Sequence, residues 1–290
     1  MSPVHFINGN FVDSKKALIP VDDLGVLRGF GVFDYLRTYD QKPFLLNWHL
    51  ERFLNSAKYA GLKVPYKKKE IKEIINKLIK KNNFQPCINQ RHKESFEYAF
   101  RIILTGGESQ DSKISKKPSF FILSERPHIL PTCVYKKGAK IFTLNYQREC
   151  PEAKTINYFV PLRIWKNIKS RGGIEVLYHF RGRVSECSTS NFFIVKNQEV
   201  ITPKSNILKG ITRKVVLKII KGKIKYKERD VLLKEIFEAD EAFLSSTDKE
   251  IVPVVKIDNF KIGKNGRVGK ITKSISLLFQ NFIKSQENKN

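Results

Sequence analysis

The sequence predicts a mixed α/β protein of two domains, and three observations carry that expectation. Strand-like runs alternate with amphipathic helical stretches along the chain. A stretch bearing Pro127, Pro131 and two adjacent lysines interrupts them over 126–138, without any sustained apolar period. A chain of 290 residues that is 41% hydrophobic can also bury about three quarters of its unfolded surface, enough for one large domain or two medium ones. The expected layout is a small α+β domain over 1–125, a linker over 126–138, and a larger mixed α/β domain over 139–290.

In chain order, Phe6 to Val12 reads as a hairpin on the Asn8-Gly9 turn, and Val32 to Tyr39 alternates like a half-buried strand before turning at Asp40 to Pro43. A helix is expected from Asn47, taken as its cap, with Leu50, Phe53, Leu54 and Ala57 on one face. A second helix carries Ile71, Ile74, Ile75, Leu78 and Ile79 opposite a lysine-rich wet face. Residues 83–97 read as an irregular surface loop, followed by strands at Tyr98 to Thr105 and Phe120 to Leu123. Beyond the linker, strands are expected at Ile141–Leu144, Val176–Tyr178, Phe192–Val195, Val200–Thr202 and Ala242–Leu244. Helices are expected after Asn157 and over Thr212–Ile220, with a polar tail from Lys284.

Lys+Arg total 54 against Asp+Glu 28, a formal net charge of +26. That balance suits a polyanionic partner, so a basic nucleic-acid-binding protein is the non-enzymatic alternative. The lysines are scattered singly, without a basic stripe interleaved with aromatics, so the charge reads as a solvated surface and no specific nucleic-acid partner is expected. Cys87, Cys133, Cys150 and Cys187 are far apart and lack a ligand spacing, which points away from a metal site and toward a reducing cytoplasm. No run of 18 apolar residues and no leader pattern occurs, so neither a membrane nor export is expected.

Two stretches read as anion sites from the residues alone. Lys209-Gly210-Ile211-Thr212-Arg213 opens an apolar-periodic helix, whose first N–H groups can hold a phosphate; the bland alternative is a turn and cap. Ser245-Ser246-Thr247 ends an apolar strand, where an ordinary loop is an equal alternative. Glu186 is a single carboxylate among hydroxyls and small residues, a pattern also common on surface strands. Lys154 heads an apolar helix containing Phe159, Leu162, Ile164 and Trp165; an amine drawn into that setting would lose hydration and become available as a nucleophile.

The order of these pieces changes their weight. Leu27–Asp34, His49–Arg52 with Ser56-Ala57, Lys154–Tyr158, Val184–Phe193, Leu208–Arg213, and Ala239–Glu241 with Ser246-Thr247 together resemble the motif series of class IV aminotransferases, the branched-chain and D-amino-acid family. The resemblance runs from Phe6 to about Leu278. It implies a fold type IV enzyme, with the larger domain a mixed α/β pseudo-barrel, dependent on pyridoxal phosphate and acting as a homodimer.

Residue by residue, the resemblance implies that Lys154 attaches the cofactor and, once released, moves the substrate Cα proton, and that Glu186 pairs with the pyridine nitrogen. Arg52, the N–H groups of Ile211 and Thr212, and Ser246 and Thr247 would hold the phosphate, with Tyr158 adding a hydrogen bond near the cofactor. His49 reads as a core or cap histidine, and Asn191 and Thr189 as supports of the turn that aims Glu186. Two half-reactions would pass an amino group from an amino acid to a 2-oxo acid, with ping-pong kinetics.

Substrate signals divide. Phe33, Arg37 and Arg101 match the branched-chain type, and Arg28 is the candidate to reach across to a second subunit. An Arg-x-His carboxylate trap of the D-amino-acid type is missing where Gly106-Gly107-Glu108-Ser109 stand. Leu208–Arg213 and Glu250–Val254 run closer to the D-amino-acid branch, and Asp34 replaces the usual glutamate. A branched-chain-type transaminase is the leading reading; a D-amino-acid transaminase and a 4-amino-4-deoxychorismate lyase are the alternatives.

Overall fold

The structure is a computed structural model that describes residues 2–82, 87–89, 92–95, 97–109, 117–263 and 265–287. The chain divides into two compact units, Met1–His128 with Ala153–Tyr158, and Ile129–Glu152 with Phe159–Asn290. The short segment at 153–158 therefore groups with the first unit although it lies beyond the expected linker, and within that linker a helix forms.

The first unit contains β1 (Val4–Ile7), β2 (Asn10–Asp13), α1 (Leu24–Arg28), β3 (Gly31–Tyr39), β4 (Lys42–Pro43), α2 (Leu46–Tyr59), α3 (Lys68–Lys81), β5 (Cys87–Asn89), β6 (His92–Ser95), β7 (Ala99–Thr105) and β8 (Phe120–Glu125). Its main sheet has the order β2-β1-β8-β7-β3-β4. The β1/β2 hairpin closes on Asn8 and Gly9, both at positive φ, as the Asn-Gly pair requires. The apolar faces of α2 (Leu50, Phe53, Ala57) and α3 (Ile71, Ile75, Leu78) join Leu36, Phe100 and Phe120 in one core. Asn47 is not the cap of α2: the helix begins one residue earlier, after Leu45 in the left-handed region, with no side chain capping it. Part of the expected loop at 83–97 forms the β5/β6 pair and Glu97 is buried against Thr38; residues 83–86, 90–91 and 96 lie outside the described residues.

The second unit contains α4 (Thr132–Lys137), β9 (Ala139–Asn145), α5 (Phe159–Ser170), β10 (Gly173–Phe180), β11 (Arg183–Cys187), β12 (Asn191–Lys196), β13 (Glu199–Thr202), α6 (Ile211–Ile220), β14 (Tyr226–Glu228), β15 (Val231–Leu232), α7 (Leu233–Phe237), β16 (Glu241–Ser246), β17 (Glu250–Ile257), β18 (Phe260–Lys261) and α8 (Lys270–Glu287). One mixed sheet runs β14-β13-β12-β16-β17-β9-β10-β11-β15, with β18 on β17. Leu177, Phe192, Ile194, Leu244, Val252 and Val254 fill its core. The strand that carries Glu186, β11, and the strand whose end carries the serines, β16, belong to this one sheet, with β17, β9 and β10 between them. The expected polar tail instead continues α8 as far as Glu287, and the last three residues lie outside the described ones.

Candidate active site

Each unit carries part of the candidate machinery. In the first, the segment around Lys154 lies along β3: the Phe33 N–H donates to the Lys154 carbonyl at 2.8 Å, the Ile156 N–H donates to the Gly31 carbonyl at 3.1 Å, and Val32 pairs with Thr155. Gly31 permits this approach, since a Cβ there would sit 2.8 Å from the Leu104 carbonyl and 3.0 Å from Ile156 Cδ1. The Lys154 N–H donates to Ser56 Oγ on α2 at 3.1 Å, and its Nζ lies 4.5 Å from the Phe33 ring centroid. Lys154 thus sits on an extended strap rather than heading α5. That helix leaves Phe159, Leu162 and Trp165 exposed, so the apolar neighbour of the amine is Phe33. Tyr158 packs edge-on to Phe33 at 5.8 Å, as an aromatic pair prefers.

Arg52 is held by a buried carboxylate. Its Nε donates to Asp34 Oδ2 at 2.8 Å and its Nη2 to Asp34 Oδ1 at 2.9 Å, a bidentate pairing, while His49 Nδ1 lies 2.7 Å from Oδ1. Burial works to raise the Asp34 pKa, but Arg52 and His49 overcome it and hold the carboxyl far below the usual carboxylate range. An ionised Asp34 only accepts, so His49 Nδ1 carries the proton. Burial lowers the His49 pKa against the pull of Asp34, and the charges of Arg52 and Lys154 act in the same direction as burial. His49 is therefore a neutral core histidine at pH 7, and its Nε2 accepts or donates no hydrogen bond among the described residues.

The expected substrate residues separate. Arg101 lies 5.5 Å from the Phe33 ring centroid and 5.3 Å from that of Tyr35, and a bidentate pair with Glu125 at 2.8 and 3.0 Å balances its charge. Arg37 is buried further along β3, with its guanidinium 4.5 Å over Tyr39 and its Nε donating to the Thr38 carbonyl. Arg28 is exposed at the end of α1.

In the second unit, Glu186 is 5% exposed on β11. Its Oε1 accepts from Arg148 Nε at 2.9 Å and its Oε2 from the Leu208 N–H at 2.9 Å. Arg148 and the Leu208 amide give this buried carboxyl the counter-charge and the hydrogen bond that an isolated buried acid would lack. Among so many scattered cations, the sequence offers no signal for Arg148. Asn191 Nδ2 donates to the Leu208 carbonyl at 2.8 Å and fixes the approach to α6. Gly210 is the N-cap of α6, with no side-chain cap, and a Cβ on it would lie 2.0 Å from Asn191 Oδ1. The helix therefore starts with buried Ile211 and Thr212 behind a residue that must be glycine. Ser246 Oγ donates to Asp248 Oδ1 at 2.7 Å on the β16–β17 loop, and half-buried Thr247 follows it.

Comparison with known proteins places this machinery in a family. Residues 31–257 match the model of amino-transferase class IV. A Staphylococcus epidermidis D-alanine aminotransferase is 30% identical over 302 residues, covering 97% of this chain and 98% of that protein. A Methanocaldococcus jannaschii protein, named provisionally as a branched-chain-amino-acid aminotransferase, is 32% identical over 290 residues, covering 95% of this chain and 94% of its own length. The structure of a Thermoproteus uzoniensis branched-chain aminotransferase with norvaline superposes with a TM-score of 0.86 at 26% identity, covering 100% of this chain and 97% of that one. The chain belongs to the class IV aminotransferases and has their fold. It is a pyridoxal-phosphate-dependent transaminase.

The donor chemistry fits that cofactor. A primary amine beside an aromatic ring, a guanidinium fixed by a buried carboxylate, a helix start without a side-chain cap, and a buried glutamate paired with an arginine are the group types that an aldehyde, a phosphate and a pyridinium nitrogen require. Among the described residues no cluster could hold a metal ion, and no helix is long and apolar enough to cross a membrane.

Proposed function

We propose that this transaminase moves an amino group between branched-chain L-amino acids and 2-oxo acids, with Lys154 and Glu186 as its catalytic residues. Bound pyridoxal phosphate supplies an electron sink for the bond broken at the substrate Cα. Lys154 holds the cofactor and, as a free amine, moves the proton at Cα. Glu186, kept ionised by Arg148 and the Leu208 amide, holds the proton on the pyridine nitrogen. Arg52, the Ile211 and Thr212 N–H groups, Ser246 and Thr247 bind the phosphate, and Tyr158 orients the ring. Asp34 and His49 fix Arg52.

The observation that carries the substrate class is the apolar wall beside the lysine: Phe33 lies next to the amine with Tyr158 packed on it, and Arg101, which lies near the same Phe33 ring, is already balanced by Glu125. Such a wall favours an aliphatic side chain over a charged one. A second reading, D-alanine transamination, is supported by the 30% identity to the staphylococcal enzyme. A donor panel of L-valine, L-leucine, D-alanine and D-glutamate, with 2-oxoglutarate or pyruvate as acceptor and aminodeoxychorismate alongside, separates the readings. L-leucine and L-valine should turn over fastest; D-alanine as the best donor would transfer the assignment to the second reading, and pyruvate release from aminodeoxychorismate would transfer it to the lyase.

The exposed apolar side chains Leu18, Val21, Val26 and Leu27 around α1 support a homodimer in which this segment and Arg28 meet a second copy. We place the enzyme in the cytoplasm, as its dispersed cysteines suggest.

A further inference from the structure

Two buried, oppositely charged side chains of the second unit have no part in the roles above. Glu175 on β10 is 2% exposed and Lys249, just before β17, is 6% exposed. Glu175 Oε1 accepts from Ser188 Oγ at 2.7 Å, from the Thr189 N–H at 2.9 Å and from Thr189 Oγ1 at 2.8 Å. Lys249 Nζ donates to the same Thr189 hydroxyl at 2.6 Å and lies 3.9 Å from Glu175 Oε2, which accepts no hydrogen bond among the described residues. Asp248 adds a carboxylate 3.6 Å from the amine. The backbone of Lys249 is held as well: its N–H donates to Ser246 Oγ at 3.3 Å, and its carbonyl accepts from the Tyr135 hydroxyl at 3.1 Å.

One chain of contacts therefore runs from the turn directly after Glu186 to the loop that carries Ser246 and Thr247. That turn closes on itself through the Cys187 N–H, which donates to the Ser190 carbonyl at 2.8 Å. Burial and Glu175 push the Cys187 thiol well above its ordinary pKa while Lys249 opposes them, so Cys187 lies within the field of both charges. Burying two ions together is costly, and a well-packed apolar pair would support an ordinary turn as well or better. Retaining charges here makes sense where geometry must be exact to a fraction of an ångström.

We infer that Glu175 and Lys249 are a positioning pair, joined through Thr189, that locks the Glu186 turn and the Ser246–Thr247 loop into one register for the cofactor. This rests on the proposed roles of Glu186 and Ser246. Neither charge touches the reacting atoms; the pair acts through the residues it holds.

The test uses the holoenzyme carrying Glu175→Gln together with Lys249→Met, which removes both charges at once and leaves neither ion buried without its opposite. The cofactor dissociation constant should rise about tenfold and kcat should fall about tenfold with KM little changed, while the unfolding midpoint of the cofactor-free protein stays near that of the parent. Parental cofactor affinity and kcat would overturn the inference, because a support of the fold alone would move only the midpoint. Should the double variant not fold, Thr189→Ser and Thr189→Val replace it: the serine keeps the linking hydroxyl and should behave like the parent, the valine should show both losses, and equal behaviour of the two overturns the inference. Glu186→Gln is measured alongside. If it is itself silent, the reading of Glu186 fails; if it is impaired while the pair variant is not, only the positioning pair fails.

Discussion

Both units bury a carboxylate against an arginine, but they use the pair in opposite senses. In the first, Asp34 is wholly buried and Arg52 keeps 12% of its side chain exposed, so the acid is the support and the guanidinium is the group presented. In the second, Glu186 keeps 6% of its side chain exposed and Arg148 19%; the arginine and the Leu208 amide supply charge balance, and in the proposed roles the acid is the functional group. The surroundings differ. Asp34 is bound on both oxygens by α2 side chains, whereas the donors to Glu186 include a backbone N–H, that of Leu208. A buried ion pair by itself therefore does not reveal which partner does the chemistry; what each oxygen is bound to does.

Substitutions on either side sharpen this contrast. The largest effect belongs to Lys154→Ala, which should lower transamination by about 10²–10⁴-fold, the range for loss of a group that moves a proton in the transition state; initial rates with saturating cofactor measure it. Glu186→Gln should cost about 10²–10³-fold in kcat, as loss of a preorganised electrostatic partner does, with the cofactor-free protein still folded.

On the other side, Asp34→Asn should act mainly on stability, by about 3–5 kcal/mol in denaturant unfolding, because Arg52 loses its buried counter-charge. Its pH dependence has a fixed sign. The Asp34 pKa is depressed in the fold, so its contribution is complete above the unfolded value of about 3.9 and drains away only as pH falls toward the lower folded value. Parent and Asp34→Asn stabilities should converge below about pH 4. His49, buried neutral with a lowered pKa, has the same sign in a higher window: the unfolded chain binds its proton first, so stability falls as pH drops below about 6.5. His49→Gln should flatten that part of the curve. The smallest effect is expected at the half-exposed Arg101–Glu125 pair, where Glu125→Gln should change stability by less than about 1 kcal/mol.

Much of this architecture is legible in the residues. The Asn8-Gly9 turn, the alternation of β3, the apolar stripes of α2 and α3 and the glycine before α6 are local signals, and local physics decides them. Where neighbours decide, the sequence misleads. Asn47 has the chemistry of a cap, yet Leu45 in a left-handed turn starts the helix. The apolar side of α5 suggests a dry bed for Lys154, but those side chains face outward and β3 supplies the bed. Arg148, Glu175 and Lys249 stand in no motif. The segment after β9, β10 and the β16–β17 loop bring them beside Glu186 and Thr189, and no spacing along the chain encodes that.

The central claim is the attachment of the cofactor to Lys154. Borohydride treatment of the holoenzyme, followed by proteolysis and mass spectrometry of the peptides, tests it most directly. A phosphopyridoxyl group on the Lys154 peptide is the predicted result; the group on another lysine, or on none, would contradict the account.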